Sequence, residues 1–546
     1  MSNKELAGQF RYLAELMELH NENPFKIRSY NNAYLALRKI GEPLSEMSPE
    51  QMEQIPGIGK AISGKIQELL QSGRLNAVAM LEEKTPAGVR ELLQIPGFGP
   101  KKISVIWQEL GIESTGELLY ACHENRLVEL KGFGPKTQAD LRQKLEYFLK
   151  AKGQFLYADL EKPALSLIER LGILLPGCLA SLTGAIRRKC NTLDKIEVLL
   201  WPNGSVDPVF DSQELVLQRS SAESLEALYE QSIPVVIYLC KKDAFGKELF
   251  LTTGTPAFAD SIVADDLQLQ QIAATTESEF LKKAGFPEVP PDLRETAWSM
   301  DAVVPSLVEI EDIKGVVHTH STYSDGVNTL RQMAVYARDR GFQYLGISDH
   351  SKSAFYANGL KEDRLMQQWE EVEILNKELA PFKIFKGIES DILSDGSLDY
   401  SDDILKQFDF VIASVHSNLK MDIEKATKRL LKAIENPYTT ILGHPTGRLL
   451  LHRAGYPVDM HRIIDACAAN GVAIELNANP YRLDLDWQWI SLAQRKGVMI
   501  AINPDAHSCS GIEDIRYGVF SARKGGLAAA NCLTALKQSD FELFIR

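Results

Sequence analysis

The chain has 546 residues, and at about 150 residues per domain this length predicts three or four domains. Apolar residues make up 45% of it and the formal net charge is −13, so sizeable cores are expected and wrapping of nucleic acid around the whole surface is disfavoured. The sequence has no apolar run of about 18 residues, no signal-peptide pattern at its start and no CxxC pair among its seven cysteines, which predicts a cytoplasmic protein with reduced thiols and no membrane span.

Residues 1–150 predict an all-helical region that repeats one short pattern. Two glycines flank one apolar residue and a helix follows, in IPGIGK at 55–60, IPGFGPKK at 95–102 and LKGFGPK at 130–136. The free amides of such a turn can hold a phosphate beside nearby lysines, although a single copy serves equally well as a helix–helix corner. Three copies favour local, sequence-independent binding of the DNA backbone by Gly57, Gly59, Lys60, Gly97, Gly99, Lys101, Lys102, Gly132, Gly134 and Lys136.

The three copies resemble the helix-hairpin-helix motif of DNA repair proteins and polymerases. The first copy, together with NPFKIRSYNNAYLAL at 23–37, also resembles the N-terminal domain of family X DNA polymerases. In that family a lysine of this motif can act as a Schiff-base nucleophile on a 5′-deoxyribose phosphate, and Lys65 stands at the matching position. A solvated helix lysine or a simple phosphate contact is the alternative for Lys65.

Residues 151–285 predict an α+β domain. Strand-like runs at 195–201 (KIEVLLW) and 233–240 (IPVVIYLC) alternate with helical stretches such as KPALSLIERLGILL. The resemblance to family X implies that this domain corresponds to the polymerase palm. In that family a Gly-Ser, an Arg-Arg pair and an Asp-x-Asp pair stand here, and the two aspartates hold Mg²⁺ with a third aspartate from a later strand.

The palm-like segment departs from this family pattern at the carboxylates. The arginines remain as Arg187 and Arg188, but Ala185 replaces the serine. The aspartate pair becomes Lys195 and Glu197, and Val236 lies where the third aspartate is expected. A lysine repels a dication and one carboxylate cannot hold two ions, so the sequence predicts a degenerate palm whose polymerase activity is lost.

Residues 286–310 are proline-rich and acidic and predict a linker, and residues 311–546 predict a parallel α/β barrel. Amphipathic helical stretches separate seven apolar runs, a number that suits a distorted (β/α)7 barrel one strand short of the usual eight. The runs are 315–319, 344–348, 383–388, 408–414, 438–443, 471–476 and 497–503.

Metal-ligating residue types follow six of these seven runs. The carboxyl ends of barrel strands converge on one mouth, so these side chains are expected to meet. A single histidine at a strand end says little, and a structural zinc site would need only four ligands. Nine candidates suit more than one ion of the Zn²⁺, Mn²⁺ or Fe²⁺ type: His318, His320, Asp325, His350, Glu389, His416, His444, Asp505 and His507.

This set resembles the polymerase and histidinol phosphatase (PHP) superfamily of metal-dependent phosphoesterases. The resemblance implies three divalent ions, Zn²⁺ or Mn²⁺ with Fe²⁺ as an alternative, bound by the nine residues. Within the set we expect Glu389 to bridge two ions and His350 and His444 to serve a third ion with Asp325. The predicted catalytic residues are Glu389, His350, Asp505 and Arg448.

Three cations near the expected mouth are candidates to clamp a phosphate. They are Arg448 in GHPTGR, Lys352 in DHSKS and Arg482 in NPYRLD. A solvated surface position is the alternative for each.

The whole chain thus resembles a bacterial family X DNA polymerase with a helix-hairpin-helix N-terminus and a C-terminal PHP domain. The leading hypothesis is a DNA-binding, metal-dependent 3′–5′ exonuclease or 3′-end or abasic-site nuclease of DNA repair, and a monomer is favoured. The alternatives are a gap-filling polymerase with proofreading, a non-catalytic DNA-binding scaffold and a small-molecule phosphatase of the histidinol-phosphate type.

Overall fold

A computed structural model gives the fold of two compact units, Met1–Leu149 and Lys150–Arg546, which we treat separately. The structure describes the chain except residues 2, 39, 41, 96, 97, 129, 131, 151, 152, 212, 213, 231, 264–268, 270, 300, 301 and 546. In the described part, no helix combines the length and the apolar character that crossing a bilayer requires.

The first unit is built from α-helices, as its sequence pattern predicts. Prolines near the starts of several helices and left-handed glycines at some of their ends set these boundaries, because proline suits the first turn and glycine tolerates positive φ. The helices are Asn3–Leu19, Pro24–Leu37, Pro49–Glu53, Lys60–Ser72, Asn76–Lys84, Ala87–Leu92, Pro100–Leu110, Thr115–His123 and Pro135–Lys150.

The three glycine-containing copies fold into the same turn. In each, the amide of the apolar residue between the glycines donates to the carbonyl three residues earlier, at 2.9–3.1 Å, in the pairs Ile58–Ile55, Phe98–Ile95 and Phe133–Leu130. That apolar residue is buried every time, which fixes the turn to the helical core. Gly57 and Gly132 adopt φ of +95° and +90°, which explains why glycine occupies the first position of these copies.

The amino-terminal part of the second unit carries a mixed five-stranded sheet and a short antiparallel pair. The sheet order is β2-β4-β7-β6-β5, with β4 and β7 parallel and the other neighbours antiparallel, while β1 pairs with β3. The strands are β1 (Phe155–Leu156), β2 (Leu179–Leu182), β3 (Thr192–Leu193), β4 (Ile196–Trp201), β5 (Leu215–Ser220), β6 (Ser224–Tyr229) and β7 (Ile233–Leu239). Helices Tyr157–Leu174, Gly184–Arg187, Asp207–Asp211, Phe245–Thr253, Pro256–Val263 and Glu277–Ala284 accompany them.

Part of the predicted linker 286–310 is packed into the second unit, whereas its Val303 is 88% exposed. The Arg294 guanidinium is fully buried against the rings of Phe250 and Phe258, with its carbon Cζ 4.7 and 5.8 Å from the ring centres. Val289 and Val308 are also buried. These residues of the segment therefore belong to the core, while the linker and the domain boundaries stay a prediction.

The rest of the second unit is a nearly closed barrel of seven parallel strands in sequential order, as predicted. The strands are β8 (Gly315–Val316), β9 (Tyr344–Ile347), β10 (Lys383–Asp391), β11 (Phe410–Ser414), β12 (Ile441–Leu442), β13 (Ala473–Asn477) and β14 (Ile500–Asn503). The helices are Leu330–Asp339, Glu362–Glu378, Asp402–Leu405, Ile423–Ile434, Met460–Asn470, Ile490–Arg495, Ile515–Lys524 and Gln538–Phe544.

The barrel closes at its carboxyl-terminal mouth. Beyond β8 and β14, Thr319 and Ala506 form a parallel bridge, in which His320 N donates to Ala506 O at 2.9 Å. The opposite end is filled by apolar side chains that include Tyr344, Phe410 and Phe541. Because apolar side chains fill that opposite end, the polar residues that follow the strands collect at the mouth.

Candidate metal centre

The nine predicted ligands converge at the barrel mouth. His318 and His320 follow β8, His350 follows β9, Glu389 lies in the carboxyl-terminal half of β10, and the other histidines follow β11, β12 and β14. All nine side chains are buried or nearly so, although Asp325 comes from a loop rather than a strand end. Their convergence is the spatial arrangement that the parallel pattern predicts; their role as ligands remains a proposal.

Asp325 anchors the first of three groups that could hold a divalent ion. Its carboxylate faces three imidazoles: His507 Nε2 at 3.4 Å, His350 Nε2 at 3.6 Å and His320 Nδ1 at 3.9 Å. Within each group the potential ligand atoms all lie within 4.8 Å of one another. The second group is His318, His320 and Asp505, and the third is His350, Glu389 and His416.

Glu389 lies at the centre of the cluster. Its Oε1 is 3.0 Å from His444 Nε2, 3.1 Å from His416 Nε2 and 3.3 Å from His318 Nε2. Its Oε2 is 2.9 Å from His350 Nδ1. A carboxylate whose two oxygens face different imidazoles can bridge two ions, which supports the predicted role of Glu389.

The grouping of His444 differs from our expectation. We expected it to serve a third ion with His350 and Asp325, but none of the three groups among the described residues includes it. It instead contacts Glu389, and its ring lies 5.2 Å from that of His416. Asp325 shares its group with His320 and His507 because the loop 321–328 folds back over the mouth.

The donor set fits divalent cations. His318 Nε2, His320 Nδ1, His350 Nδ1 and His444 Nδ1 are buried and form no hydrogen bond of normal geometry among the described residues, although His318 Nε2 and His350 Nδ1 lie 3.3 and 2.9 Å from Glu389 oxygens. A buried polar atom left without a partner costs about 1–3 kcal/mol, and a bound cation would satisfy such a lone pair. Asp505 also adopts a left-handed φ of +52°, and such strain is common where a residue is held for function.

Two carboxylates behind the cluster escaped the sequence analysis. Both oxygens of Glu475, in β13, lie 3.0 Å from His318 Nδ1, and Asp391 Oδ1 lies 2.5 Å from His416 Nδ1. A carboxylate that holds Nδ1–H leaves Nε2 of the same ring free to bind a cation. Glu475 could have been noticed in the sequence, because it is a charged residue within the otherwise apolar run 471–476. This run is the one to which we had assigned no metal ligand.

The electrostatics separate the histidines into two kinds. Burial and the neighbouring His507 and His350 lower the pKa of His320 to about 3, and burial with Arg482 lowers the pKa of His444 to about 4. Burial also opposes charge on His416, but Glu389 and Asp391 raise its pKa to about 10. Burial raises the pKa of Glu475 to about 7. A cation entering the cluster therefore meets neutral donors at some rings and displaces a proton at others.

Of the three predicted phosphate clamps, only Arg482 reaches the cluster. It is buried, and its Nε lies 3.6 Å from Asp505 Oδ2. The Arg448 guanidinium is instead bound by the loop that carries Arg482: it donates to the carbonyls of Arg482 (3.0 Å) and Leu483 and to Asp486 (2.5 Å). The geometry thus does not support a clamp at Arg448, which holds the 482–486 loop in place.

Lys352 also has a partner of its own. Its Nζ lies 2.9 Å from Glu362 Oε1 at the surface, and it lies over the Tyr400 ring at 5.2 Å. The pair is exposed, so this contact contributes little to stability.

Among the three predicted metal positions of the palm-like sheet, only Glu197 is a carboxylate, and it is already hydrogen-bonded. Glu197 Oε2 accepts from Ala185 N at 3.1 Å, and Tyr238 OH donates to Glu197 Oε1 at 3.0 Å. On the neighbouring strand β7, Val236 is the direct partner of Glu197. The remaining predicted position holds Lys195 in place of a carboxylate, and its Nζ lies 3.9 Å from Asp194 Oδ2.

The predicted DNA-contacting residues lie at exposed helix starts of the first unit. Lys60, Lys101, Lys102 and Lys136 are exposed, and helices begin directly after Gly59, Gly99 and Gly134. Gly97 lies outside the described residues. By helix geometry the first amides of each helix have no partner within the helix and can bind an anion.

The first copy also borders an open groove. It has a volume of about 870 Å³ and is lined by Phe25, Tyr30, Gly57, Gly59 and Lys60, among others. Lys65 is half-buried, with its Nζ 6.0 Å from the centre of the Tyr30 ring. No contact decides between the two interpretations of Lys65, so its lyase role stays a prediction.

Family comparisons agree with this layout at both ends of the chain. Residues 1–75 match a helix-hairpin-helix domain, residues 89–146 match a SAM-like helix-hairpin-helix tandem, and residues 317–479 match the PHP domain. PHP domains are metal-dependent, in agreement with the His/Asp/Glu groups at the mouth.

Relatives extend the agreement to the full length. A Bacillus subtilis (strain 168) protein named DNA polymerase/3′-5′ exonuclease PolX is 33% identical, and the match covers 100% of both chains. A probable phosphatase of Caldanaerobacter subterraneus subsp. tengcongensis is 30% identical over 35% of this chain and 75% of its own length. Another, from Thermoanaerobacter sp. (strain X514), is 32% identical over 35% of this chain and 77% of its own length. The chain therefore belongs to the bacterial family X DNA polymerases that carry N-terminal helix-hairpin-helix domains and a C-terminal PHP domain.

Proposed function

We propose that this protein is a metal-dependent phosphodiesterase that trims DNA from the 3′ end, as a 3′–5′ exonuclease or a 3′-end or abasic-site nuclease of DNA repair. The observation that carries the proposal is the buried cluster at the barrel mouth, where four imidazole nitrogens form no hydrogen bond of normal geometry among the described residues. The name of the Bacillus subtilis relative includes a 3′-5′ exonuclease, which favours this polarity.

The cluster would bind three divalent ions, Zn²⁺ or Mn²⁺, through the nine residues of the mouth. Such ions lower the pKa of water and neutralise phosphate oxygens during hydrolysis. In this arrangement Glu389, whose oxygens face four imidazoles, would be shared by two ions, and Glu475 and Asp391 would orient His318 and His416. Arg482 lies beside Asp505, where a guanidinium could pair with a phosphate oxygen. Arg448 acts on the reaction through the loop that it holds.

Polymerase activity is absent in this proposal. Nucleotidyl transfer by two Mg²⁺ ions needs several carboxylates, and Glu197 is already hydrogen-bonded to Ala185 N–H and Tyr238 O–H. The Arg187 side chain that the family pattern keeps is bound by Glu277, at 2.7 and 2.9 Å. The palm then serves as a structural domain.

DNA would be held by the helix starts of the first unit, through backbone phosphates and without sequence preference. The exposed lysines at these helix starts and the repeated turn support this part of the proposal. The protein is then expected to act as a cytoplasmic monomer on DNA.

A primer assay tests the proposal directly. The full-length protein is incubated with Mn²⁺ and a 5′-labelled primer on a template, with and without dNTPs. We expect a ladder of shortened primers under both conditions. Extension in the presence of dNTPs would show a working palm, and a primer that stays intact in Mn²⁺ would contradict the proposed function.

Two variants separate the proposed site from the rest of the barrel. His318→Ala with His320→Ala should lower the rate of shortening by about a thousandfold or more, since it removes ligands of an ion worth several kcal/mol. His461→Ala, an exposed histidine of helix Met460–Asn470, is the matched control and should keep the full rate. Shortening that survives in the double variant would place the activity elsewhere.

DNA binding is tested by its salt dependence. Lys101→Ala with Lys102→Ala should make the negative slope of log K against log salt shallower by about 2 on duplex DNA, because each lost phosphate contact removes about 0.9 from its magnitude. Lys144→Ala, on the exposed face of helix Pro135–Lys150, serves as the control. An unchanged slope in the double variant would mean that these lysines do not touch phosphate.

A second candidate function is a small-molecule phosphatase, which the probable phosphatases among the relatives favour. It predicts rapid release of phosphate from small monoesters and little shortening of a primer. The same protein sample can be given both substrates to decide between the two.

A further inference from the structure

One aromatic side chain at the barrel mouth is conspicuously exposed. Of the phenylalanines in the chain, all of which the structure describes, only Phe25 and Phe355 are largely exposed, and Phe355 is 80% exposed. It lies in the loop 351–360, which follows His350 at the end of β9. Its ring centre is 5.9 Å from that of Tyr356, which in turn lies 6.2 Å from the His350 ring. Phe355 is therefore one aromatic ring away from the proposed metal centre.

The loop that carries Phe355 is held firmly on both sides of it. Ser353 N donates to Asp399 at 2.6 Å, and Ser353 Oγ donates to Asp391 at 2.7 Å, the carboxylate that also contacts His416. On the far side, Leu360 N donates to His350 O at 2.9 Å. These hydrogen bonds hold the backbone on both sides of Phe355 in a conformation that leaves its ring exposed.

Folding gives no reason for this exposure. Burying a phenylalanine side chain stabilises a protein by about 1.5–3 kcal/mol, and Phe355 forgoes most of this gain. Its neighbours Ala354 and Ala357 are buried, while Lys352 and Asn358 are exposed and polar. The exposed apolar surface is therefore a single ring, far smaller than the patches of several hundred Å² that mark protein interfaces.

We propose that Phe355 stacks on the base of the 3′-terminal nucleotide whose phosphodiester lies at the metal centre. The inference rests on the proposed function and names its substrate class: an unpaired DNA 3′ end rather than a small phosphate ester. A base must leave its pairing partner to offer its face to a side chain, so single-stranded or mismatched ends are preferred. Stacking tolerates any base, which suits an enzyme without sequence preference.

The proposal is tested by a double-mutant cycle in which the Phe355 ring and the 3′-terminal base are removed separately and together. Cleavage by the full-length protein in Mn²⁺ is measured on two single-stranded oligonucleotides, one with a normal 3′-terminal nucleotide and one whose 3′-terminal nucleotide lacks its base. Stacking on an aromatic side chain is worth about 1–3 kcal/mol per base, so Phe355→Ala should lower kcat/KM on the normal end by about 5- to 150-fold. On the end without a base the wild type and the variant should be equal, and Phe355→Trp should restore the rate on the normal end.

The controls separate this inference from the proposed function. Ile374→Ala removes another exposed apolar side chain, from helix Glu362–Glu378, and should leave both rates unchanged. Equal effects of Phe355→Ala on the two substrates, or no effect on either, would overturn the stacking role while the nuclease stands. A wild-type protein that cleaves neither oligonucleotide would instead contradict the proposed function.

Discussion

The palm and the barrel of the second unit both place acidic side chains on sheet strands, but they use them in opposite ways. In the palm, Glu197 is satisfied by a backbone amide and a tyrosine hydroxyl. At the barrel mouth, His318 Nε2 and His350 Nδ1 lie 3.3 and 2.9 Å from Glu389 oxygens without forming a hydrogen bond of normal geometry. A polar group that already has its hydrogen bonds needs no ligand for stability. A buried nitrogen whose lone pair has no partner gains stability when a cation binds to it.

The two arginines of the family pattern are also bound within the protein. Arg187 and Arg188, kept from the family pattern, are bound by Glu277 and by Glu295. Lys524, from the barrel, also contacts Glu295 and donates to Arg188 O at 2.8 Å. These charges now hold the palm together and attach it to the barrel.

The largest loss of stability is expected when Glu277 is changed, and it tests whether the charges of the palm-like sheet are structural. It pairs with Arg187 and with Arg294 (2.7 Å), whose guanidinium is buried, so Glu277→Gln leaves a buried cation without its counter-ion. Removing one partner of a buried pair costs about 3–5 kcal/mol. We expect a loss of this size in the free energy of opening β4 and β7, measured by hydrogen exchange of their amides, with Glu373→Gln at the surface as control.

The pH dependence of the same pair has a definite sign. Although burial opposes charge on Glu277, its hydrogen bonds with Arg187 and Arg294 hold its pKa below the ordinary value of 4.5. A depressed folded-state pKa contributes stability that is fully present above about pH 4.5 and is lost as the pH falls further. The hydrogen-exchange stability of the palm should therefore fall below that pH in the wild type and change less in Glu277→Gln. A palm equally stable in both proteins would mean that the ion pair is not structural.

A medium effect is expected at Glu475, which orients His318 without reaching the cation itself. Glu475→Gln should weaken divalent-metal binding by about 10- to 100-fold, the usual consequence of losing a carboxylate behind a histidine ligand. Metal affinity is measured by competition with a chelator, and the metal-free protein should keep its melting temperature. Asp391→Asn should behave alike because Asp391 holds His416 in the same way. Unchanged affinity in both variants would rule out the orienting role.

The smallest loss of stability is expected when Glu197 is changed, and this variant separates a structural role of Glu197 from a catalytic one. Glu197→Gln keeps the shape and weakens two hydrogen bonds, for an expected loss of about 1–2 kcal/mol in palm stability. The rate of primer shortening should stay within about twofold of wild type, since Glu197 lies outside the proposed nuclease site. Loss of a primer extension activity in this variant would instead identify Glu197 as part of a working polymerase centre.

Local pattern was enough for much of this protein. Each of the seven predicted apolar runs overlaps a barrel strand, and the three Gly-x-Gly copies share the same backbone hydrogen bond. Both signals are carried within ten residues or so: apolar runs between amphipathic helices indicate buried parallel strands, and glycine spacing indicates a turn. Because parallel strands end at the same edge, even the convergence of the nine candidates could be predicted.

Which candidate meets which partner could not be predicted in this way. Glu475 and His318 are 157 positions apart, and their contact depends on the register of β13 against the rest of the barrel. Arg448 and Arg482 carry the same guanidinium, yet one holds a loop and the other reaches Asp505, since the path of that loop decides between them. Composition likewise made 286–310 a linker, whereas Arg294 is part of the core because Glu277 and two phenylalanine rings surround it.

The sequence by itself determined the kinds of elements, their order and the chemical types gathered at the mouth, because periodicity and residue type are local properties of the chain. Only the tertiary structure decided the pairings: the hydrogen bonds of Glu197, the contact of Glu475 with His318, and the exposed Phe355 one ring away from His350. Such pairings form between side chains that packing brings within a few ångströms of one another. They cannot be predicted from the residues that neighbour each one in the sequence.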